Sequence, residues 1–322
     1  NLWMVFYFNE ETNCLVRDKI KQLLLRIQNG DQRSLARAIT IVENELEGHE
    51  ELLLSLNETE RTNVIGITGP PGAGKSTLVN SLLEYWAGEN KKIAVIAVDP
   101  SSPFNYGALL GDRIRMSKFY NHSNIFIRSL ASRGVLGGLN AKILEITDVV
   151  KQANFDYILV ETVGVGQSEV EIAGLADVTV VTLVPEAGDE VQTLKAGIME
   201  IADVFVVNKA DRENAEALYR NLRILAHEKA GVNEEEIPVI KCIATANEGV
   251  DQLAIAIDKQ LGSLAKNDEK KTYLMSEKAW QIVVNKRMKN INKQELFRSI
   301  SAARNIRGFN LYQYASDLAA KQ

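Results

Sequence analysis

Short apolar runs alternate with helical stretches from about residue 62 to about residue 265. Most of the runs are rich in Val and Ile without polar alternation, which is typical of strands covered on both faces. Seven runs are predicted to be strands, at 64–68, 93–98, 125–128, 157–161, 178–184, 204–207 and 239–243. Because helical segments separate most of them, the pattern predicts βαβ units, and hence an α/β fold with a mostly parallel sheet and helices on both sides.

Helical periodicity precedes the first strand. Residues 15–29 predict one helix, which Gly30 would end, and Asp31 is the expected N-cap of the next. The second helix is predicted to carry an apolar stripe at i, i+3, i+4 spacing, formed by Leu35, Ala38, Ile39, Val42 and Leu46. The apolar letters NLWMVFYF are expected to pack on the body as a strand or helix. They are not expected to be a signal peptide, since no basic region precedes them.

After about residue 265 the composition turns polar, and two or three further helices are predicted. One carries Trp280 and Val283, and the last is expected to start at an Asn310 N-cap. The pattern therefore divides the chain into a helical N-terminal extension at 1–60, a sheet domain at 61–265 and a C-terminal helical arm at 266–322.

The amino-acid composition argues against several classes of function and structure. The 322 residues carry a formal net charge of −5, so a global basic field for nucleic acid or anionic lipid is absent. Two distant cysteines, Cys14 and Cys242, do not form a disulfide framework or a zinc motif, which favours a reducing, cytoplasmic location. No apolar stretch approaches the roughly 18 residues that a membrane span needs.

The letters GPPGAGKST follow a predicted strand and open a predicted helix, and they match G-x-x-x-x-G-K-[ST]. Glycines let backbone N–H groups turn inward around phosphate oxygens, and the helix N-terminus adds partial positive charge. Lys75 is expected to reach the β- and γ-phosphates, and the Ser76 hydroxyl to ligate Mg²⁺. A plain Gly/Pro-rich turn would not explain both motif and context. The expected phosphate-binding residues are Gly69, Gly72, Ala73, Gly74, Lys75, Ser76 and Thr77.

A second motif, N-K-A-D, ends another predicted strand at Asn208, Lys209 and Asp211. An ionised Asp only accepts hydrogen bonds, and guanine offers N1–H and N2–H₂ side by side. Adenine would leave that carboxylate without donors, at a cost of at least about 1–3 kcal/mol. Asp211 is therefore predicted to read guanine, with Lys209 against the base and Asn208 tying the loop to nearby backbone. The later stretch Ala244, Thr245 and Ala246 is predicted to approach guanine O6.

Acidic residues end two more strands. Glu161 is followed three positions later by Gly164, as in the D-x-x-G stretch of many GTPases, where the acid organises Mg²⁺ and the glycine N–H meets the γ-phosphate. Asp99 ends the strand at 93–98, where its carboxylate would support the Mg²⁺ shell or the attacking water, and Asp112 falls in the next loop. A helix cap or solvated turn is the competing reading for each of these two residues, above all for Asp112. Val165 stands where Ras-like enzymes place a water-orienting Gln, so unaided hydrolysis is expected to be slow.

Two arginines, Arg128 and Arg133, stand in the Gly-rich stretch FIRSLASRGVLGGLN. The stretch is read either as a phosphate-sensing segment or as a plain Gly-rich loop.

Together, GPPGAGKST, VDPSSP, GDRIRM, SRGVLGGL, ETVGVGQSE, EAGDEVQTLKAGIMEIAD and NKAD occur here in one order. The set resembles the methylmalonyl-CoA mutase-associated GTPases of the MeaB/ArgK type, over roughly residues 31–265. The resemblance implies a GTP-hydrolysing chaperone that assists an adenosylcobalamin-dependent acyl-CoA mutase in loading and protecting its cofactor. It also implies GTP/GDP and Mg²⁺ as ligands, and a homodimer joined through the C-terminal arm. The client, a methylmalonyl-CoA or an isobutyryl-CoA enzyme, stays open.

Residue roles also follow from the resemblance. Lys75, Asp99, Asp112 and Glu161 would be the catalytic residues, and Ser76, Asp99, Asp112 and Glu161 would surround Mg²⁺ and water. Residues 99–118 and 162–175 would be nucleotide-responsive switches, and Lys195 would belong to a further switch that reports to the partner.

Two alternatives remain open. A metal-delivery GTPase shares this class of fold, although its usual His-rich or CxxC-like site is not evident among His49, His122 and His227. A kinase acting on a transport-associated binding protein is the other, since that label accompanies some ArgK-type sequences.

Overall fold

The structure is a computed structural model, and it describes residues 2–57, 62–99, 116–131, 142–162, 172–186, 198–229, 236–264, 268–288, 291–304 and 309–320. Within these ranges the chain forms two compact units, Asn1–Asn267 and Asp268–Gln322.

Seven strands of the first unit form one sheet in which every pairing is parallel. They are β1 (Asn63–Thr68), β2 (Ile93–Asp99), β3 (Ile125–Ala131), β4 (Tyr157–Glu161), β5 (Val178–Leu183), β6 (Val204–Asn208) and β7 (Val239–Cys242). Their order across the sheet is β3-β2-β4-β1-β5-β6-β7. All seven predicted strands are thus present, and the central strand β1 lies between β4 and β5, whose carboxyl ends reach the same edge.

Helices of the first unit surround this sheet. They are α1 (Leu2–Gln28), α2 (Gln32–Glu43), α3 (His49–Leu54), α4 (Lys75–Gly88), α5 (Ile143–Lys151), α6 (Ile198–Ile201), α7 (Ala215–Lys229) and α8 (Val250–Leu264). Successive β1 side chains point to opposite faces, so Val64 joins the core under α1, α2 and α5, while Ile65 and Ile67 join the core under α4 and α8. The sheet is therefore buried on both sides, as its apolar runs predict.

Three aspartates fix the amino-terminal edge of the sheet. Asp156, Asp177 and Asp203 each stand one residue before a strand, namely β4, β5 and β6. Their carboxylates accept from the backbone N–H of Lys92 (2.7 Å), Val64 (2.7 Å) and Thr179 (2.9 Å), respectively, at the beginning of a neighbouring strand. Each bond satisfies a backbone donor at the strand entry and helps to set the register of the pair.

The N-terminal helices belong to the core of the first unit. Asp31 caps α2 as predicted, accepting from Arg33 N–H at 3.0 Å, and Gly30 adopts φ +86° at the end of α1. The prediction for Leu46 was wrong: α2 ends at Glu43, the left-handed Glu45 (φ +47°) turns the chain, and Leu46 is 47% exposed. The first helix also begins earlier than the predicted residue 15.

The described residues of the second unit form three helices, α9 (Asp268–Met288), α10 (Lys293–Ala303) and α11 (Leu311–Ala320). Asn310 caps α11 as predicted, with its side chain accepting from the N–H groups of Tyr312 (2.9 Å) and Gln313 (3.1 Å). None of the helices in the described part of the chain is long and apolar enough to cross a membrane.

Candidate functional site

The phosphate loop, residues 69–77, leaves the carboxyl end of β1 and enters α4. Gly69 adopts φ +138°, and a Cβ there would lie 2.0 Å from the carbonyl oxygen of Thr182 on β5. Gly74 adopts φ +86°, and a Cβ there would lie 2.4 Å from Asn208 Nδ2. Only glycine fits these two positions, because both the backbone angle and the close neighbour exclude a side chain.

Lys75 is a buried cation inside this loop. Its Nζ donates to the carbonyl oxygens of Gly69 (2.8 Å) and Pro70 (3.1 Å). The ammonium group is therefore held at the loop, where the N-terminus of α4 adds positive potential. Phosphate oxygens are stronger acceptors than backbone carbonyls, so this arrangement can bind a polyphosphate. Ala73 is buried, and Thr77 lies in the first turn of α4.

Ser76 and Glu161 meet beside the loop, although 85 positions separate them. The Ser76 hydroxyl donates to Glu161 Oε1 at 2.6 Å, and both side chains are buried. Glu161 ends β4 next to Ile67 of β1, and Ser76 lies in α4, which follows β1 through the phosphate loop. The pairing of β4 with β1 therefore brings Ser76 and Glu161 together. A second polar contact, 3.0 Å long, joins the hydroxyls of Thr68 and Thr162. The edge thus presents hydroxyl and carboxylate oxygens, the donors that Mg²⁺ takes.

Asn208 connects the phosphate loop to a later loop. Its buried amide Nδ2 donates to Ala73 O at 2.8 Å, and its Oδ1 accepts from Ala244 N–H at 3.2 Å. Lys209, in a left-handed conformation (φ +55°), donates from Nζ to Gly72 O at 2.8 Å. The motif N-K-A-D therefore lies directly against the phosphate loop.

Asp211 is exposed at the surface, where it is accessible to the purine ring of a bound nucleotide. Its neighbour Arg212 forms an ion pair with Glu186 just after β5, and this cation lowers the pKa of the Glu186 carboxyl. The chain that follows β5 is thus joined to the loop that carries Asp211.

The base loop, residues 244–247, follows β7 as a 3₁₀ turn at Ala244–Ala246 and leaves through Asn247 with φ +58°. Ala244 is buried, while Thr245 and Ala246 are exposed. Two α4 side chains that sequence reasoning missed contact this loop, Ser81 and Glu84. One feature of the sequence could have indicated Ser81, namely that it is a polar residue among the apolar residues of this helix.

Some of the predicted site residues fall in parts of the chain outside the described ranges. Asp112, Gly164 and Lys195 lie outside the described residues, as does Arg133. Asp99 ends β2 opposite Ala131 of β3, and only its backbone is described.

Arg128, which belongs to the stretch read either as a phosphate-sensing segment or as a plain Gly-rich loop, lies in β3 and contacts α2. Its Nη2 donates to Glu43 Oε2 at 2.7 Å and to Thr40 Oγ1 at 3.3 Å, both on α2. This half-buried pair fastens α2 to the edge strand β3. Among the described residues, no group of three or more His, Cys, Asp or Glu side chains is positioned to hold a metal ion.

Comparison with known proteins agrees with this geometry. A family model described as methylmalonyl-CoA mutase-associated GTPase MeaB matches residues 35–296. A Pyrococcus abyssi protein, whose name assigns it GTPase activity provisionally, is 47% identical over 238 residues, which are 73% of this chain and 74% of its own. The GTPase ArgK of Escherichia coli is 36% identical over 249 residues, 74% of this chain and 75% of its own.

Two further comparisons concern a mammalian relative and a solved structure. The mouse protein named methylmalonic aciduria type A homolog, mitochondrial, is 33% identical over 255 residues, 73% of this chain and 61% of its own. The solved structure named LAO/AO transport system kinase superposes with a TM-score of 0.65 at 25% identity, covering 94% of this chain and 97% of that one. The motif geometry and these matches show that the chain has a P-loop fold, binds guanine nucleotide and hydrolyses GTP. The chain belongs to the methylmalonyl-CoA mutase-associated GTPase family, MeaB.

Proposed function

We propose that this GTPase is a chaperone for an adenosylcobalamin-dependent acyl-CoA mutase, which it assists in cofactor loading and protection. The observation that carries the proposal is the family match over residues 35–296, which spans the phosphate loop, the N-K-A-D motif and the base loop. The name of the mouse relative also connects this type of protein with methylmalonate metabolism.

In this proposal the phosphate loop holds the β- and γ-phosphates. Lys75 exchanges its two carbonyl acceptors for phosphate oxygens, which are charged and bind the ammonium more strongly. Ser76 and Glu161 fit Mg²⁺, because they already place a hydroxyl and a carboxylate oxygen 2.6 Å apart. When bound, the ion would neutralise phosphate charge during GTP hydrolysis. Asp99 and Asp112 remain proposed members of the Mg²⁺ group, and the Gly164 N–H is proposed to meet the γ-phosphate.

The base is proposed to lie between Lys209 and the base loop, with Asp211 accepting from guanine N1–H and N2–H₂. Support comes from Asn208, whose two hydrogen bonds join Ala73 of the phosphate loop to Ala244 of the base loop. The base-reading and phosphate-binding parts are thereby held at a fixed spacing.

Slow unaided hydrolysis is part of the proposal, because Val165 cannot orient a water molecule as Gln does. A partner that supplies or orders catalytic groups could accelerate the reaction by roughly 10³–10⁵-fold. The proposed partner is the mutase, and Lys195 is proposed to lie in the segment that reports to it.

A homodimer through the C-terminal unit is also proposed. This unit exposes several large apolar side chains, including Trp280 (64% exposed), Phe297 (71%) and Tyr312 (85%). Large apolar side chains that are exposed in one chain can be covered by contact with another chain, and this supports the dimer as part of the proposal.

The test is to capture partners with protein loaded with a non-hydrolysable GTP analogue, and to measure hydrolysis with the captured enzyme. Recovery of a cobalamin-dependent mutase that accelerates GTP hydrolysis supports the proposal. A mutase that neither binds nor alters hydrolysis contradicts it.

One observation favours a second candidate, since the solved structure at TM-score 0.65 is named a transport system kinase. Transfer of labelled γ-phosphate to a protein substrate, rather than release as phosphate, would support kinase activity instead.

A further inference from the structure

The base loop receives little support from its own strand. Strand β7 has only four residues and, among the described strands, pairs with β6 alone. Three of its residues, 239–241, are half-buried or exposed. A short edge strand holds its carboxyl end less firmly than a central strand, so other contacts must position the loop that follows.

Ser81 supplies one such contact from α4. Its buried hydroxyl donates to Ala244 O at 2.6 Å and also lies 3.1 Å from Thr77 O in its own helix. The N–H of the same Ala244 donates to Asn208 Oδ1. The first residue of the base loop is therefore held from two sides, by α4 and by β6.

Glu84, three positions later on the same helix face, holds the other end of the loop. Its Oε2 accepts from Asn247 Nδ2 at 2.9 Å, and its Oε1 forms an ion pair with Lys118. The bonds from Lys118 and Asn247 lower the pKa of the Glu84 carboxyl, so it stays ionised as an acceptor. Both ends of the base loop are thus attached to α4, which itself begins at Lys75.

We propose that Ser81 and Glu84 are positioning residues that set the base loop against purine position 6 and so sharpen the choice of guanine. The proposal rests on the placement of guanine O6 at this loop, given above. Guanine carries an acceptor oxygen at position 6, and adenine carries an amino donor. A backbone N–H discriminates between them only if it is held at hydrogen-bonding distance from position 6. Helix α4 begins in the phosphate loop and contacts the base loop, so it joins the two parts of the proposed site.

The experiment compares the dissociation constants of three ligands. 6-Thio-GDP replaces O6 by a weakly accepting sulfur, and IDP lacks the 2-amino group that Asp211 is proposed to read. Wild-type protein should bind both more weakly than GDP. In Ser81→Ala the penalty for 6-thio-GDP should shrink by roughly three- to tenfold, the worth of one hydrogen bond. The IDP penalty should stay unchanged, because Asp211 lies in the loop after β6 and not in the base loop.

The matched control is Thr147→Val on α5. The Thr147 hydroxyl is also buried and donates to a carbonyl four residues earlier, Ile143 O at 2.7 Å. This variant should keep all three dissociation constants, although it loses a comparable helix contact.

Glu84→Ala provides a second variant at a more exposed position, where folding is not at risk, and it should reduce the 6-thio-GDP penalty as well. Lys118→Met removes the ion pair but leaves the Asn247 contact, so it should have the smaller effect.

Three results would overturn the proposal. If wild-type protein binds GDP and 6-thio-GDP equally, the base loop does not read position 6, and the placement of the ring fails as well. If the 6-thio-GDP penalty persists in both Ser81→Ala and Glu84→Ala, these residues do not position the loop. If both penalties fall together, the substitutions loosen the whole site. None of these measurements uses the mutase, so they are independent of the chaperone proposal.

Discussion

The hydroxyl of Ser76 donates a 2.6 Å hydrogen bond to the carboxylate of Glu161, which joins the phosphate loop to the end of β4. The first residue comes from the beginning of α4 and the second from the strand beside β1. Both groups are buried, so neither position tolerates a change of charge without consequence.

Glu161→Gln should weaken Mg²⁺ support of nucleotide binding. The amide keeps the size of the side chain but lacks the negative charge that attracts the ion. The Mg²⁺ concentration that half-saturates binding of a fluorescent GTP analogue should rise by roughly 10- to 100-fold. Glu145→Gln, a half-buried carboxylate on α5 that pairs with Lys142, is the control and should leave this value unchanged. An unchanged Mg²⁺ requirement in Glu161→Gln would show that Glu161 does not contribute to Mg²⁺ binding.

Gly69→Ala and Gly72→Ala should differ in their effect on stability. A Cβ at Gly69 would lie 2.0 Å from Thr182 O, whereas a Cβ at Gly72 meets nothing within 4 Å. Gly72→Ala should therefore cost only the left-handed backbone penalty, about 1–2 kcal/mol of unfolding free energy. Gly69→Ala should cost more, about 3 kcal/mol or above, since strain and clash combine. Urea denaturation measures both, and equal losses would contradict the close contact with β5.

Arg128→Met should destabilise the protein without altering GTP hydrolysis. The guanidinium joins Glu43 and Thr40 of α2, and loss of a charged hydrogen bond of this kind costs about 1.5–3 kcal/mol. Urea denaturation and single-turnover hydrolysis, measured on the same preparation, separate the two roles. A large fall in the hydrolysis rate with unchanged stability would favour the phosphate-sensing reading of Arg128.

Sequence reasoning located all seven strands because most of them are runs rich in buried Val and Ile, and helical segments separate most of the runs. It did not locate the start of α1. The letters LWMVFYF are apolar on every side of a helix, so they have no amphipathic period from which a helix could be recognised. It extended α2 to Leu46 because the 3.6-residue spacing continues past Glu43, while the left-handed turn at Glu45 leaves no periodic trace.

The site divides in the same way. Lys75, Ser76 and Asn208 belong to contiguous sequence motifs with a recognised chemical role, so they were accessible from the sequence. Ser81 and Glu84 were not, because each contacts a residue 163 positions away and only the folded sheet brings these segments together. The contact of Arg128 with Glu43 was not accessible either, because Glu43 lies on a helix 85 positions earlier.

Cys242 should be unreactive in the native protein. Burial raises the pKa of its thiol from 9.0 to about 12, with Asp251 adding to the shift. Because the folded pKa lies above the unfolded one, the neutral thiol's contribution to stability is fully present below pH 9 and declines as the pH rises from 9 to 12. A Cys14→Ser variant isolates this thiol, and iodoacetamide at pH 8 should modify it only after urea unfolding. Rapid alkylation of the native variant would contradict the burial.

The most direct measurement of the central claim compares GDP, XDP and ADP binding to wild-type protein, Asp211→Asn and the exposed-acid control Glu213→Gln. Xanthine carries a 2-oxo group that accepts from an amide, so Asp211→Asn should lose affinity for GDP and gain affinity for XDP. Wild type and Glu213→Gln should both prefer GDP strongly over ADP. A GDP preference that survives in Asp211→Asn, or equal binding of ADP by wild type, would contradict the guanine site described here.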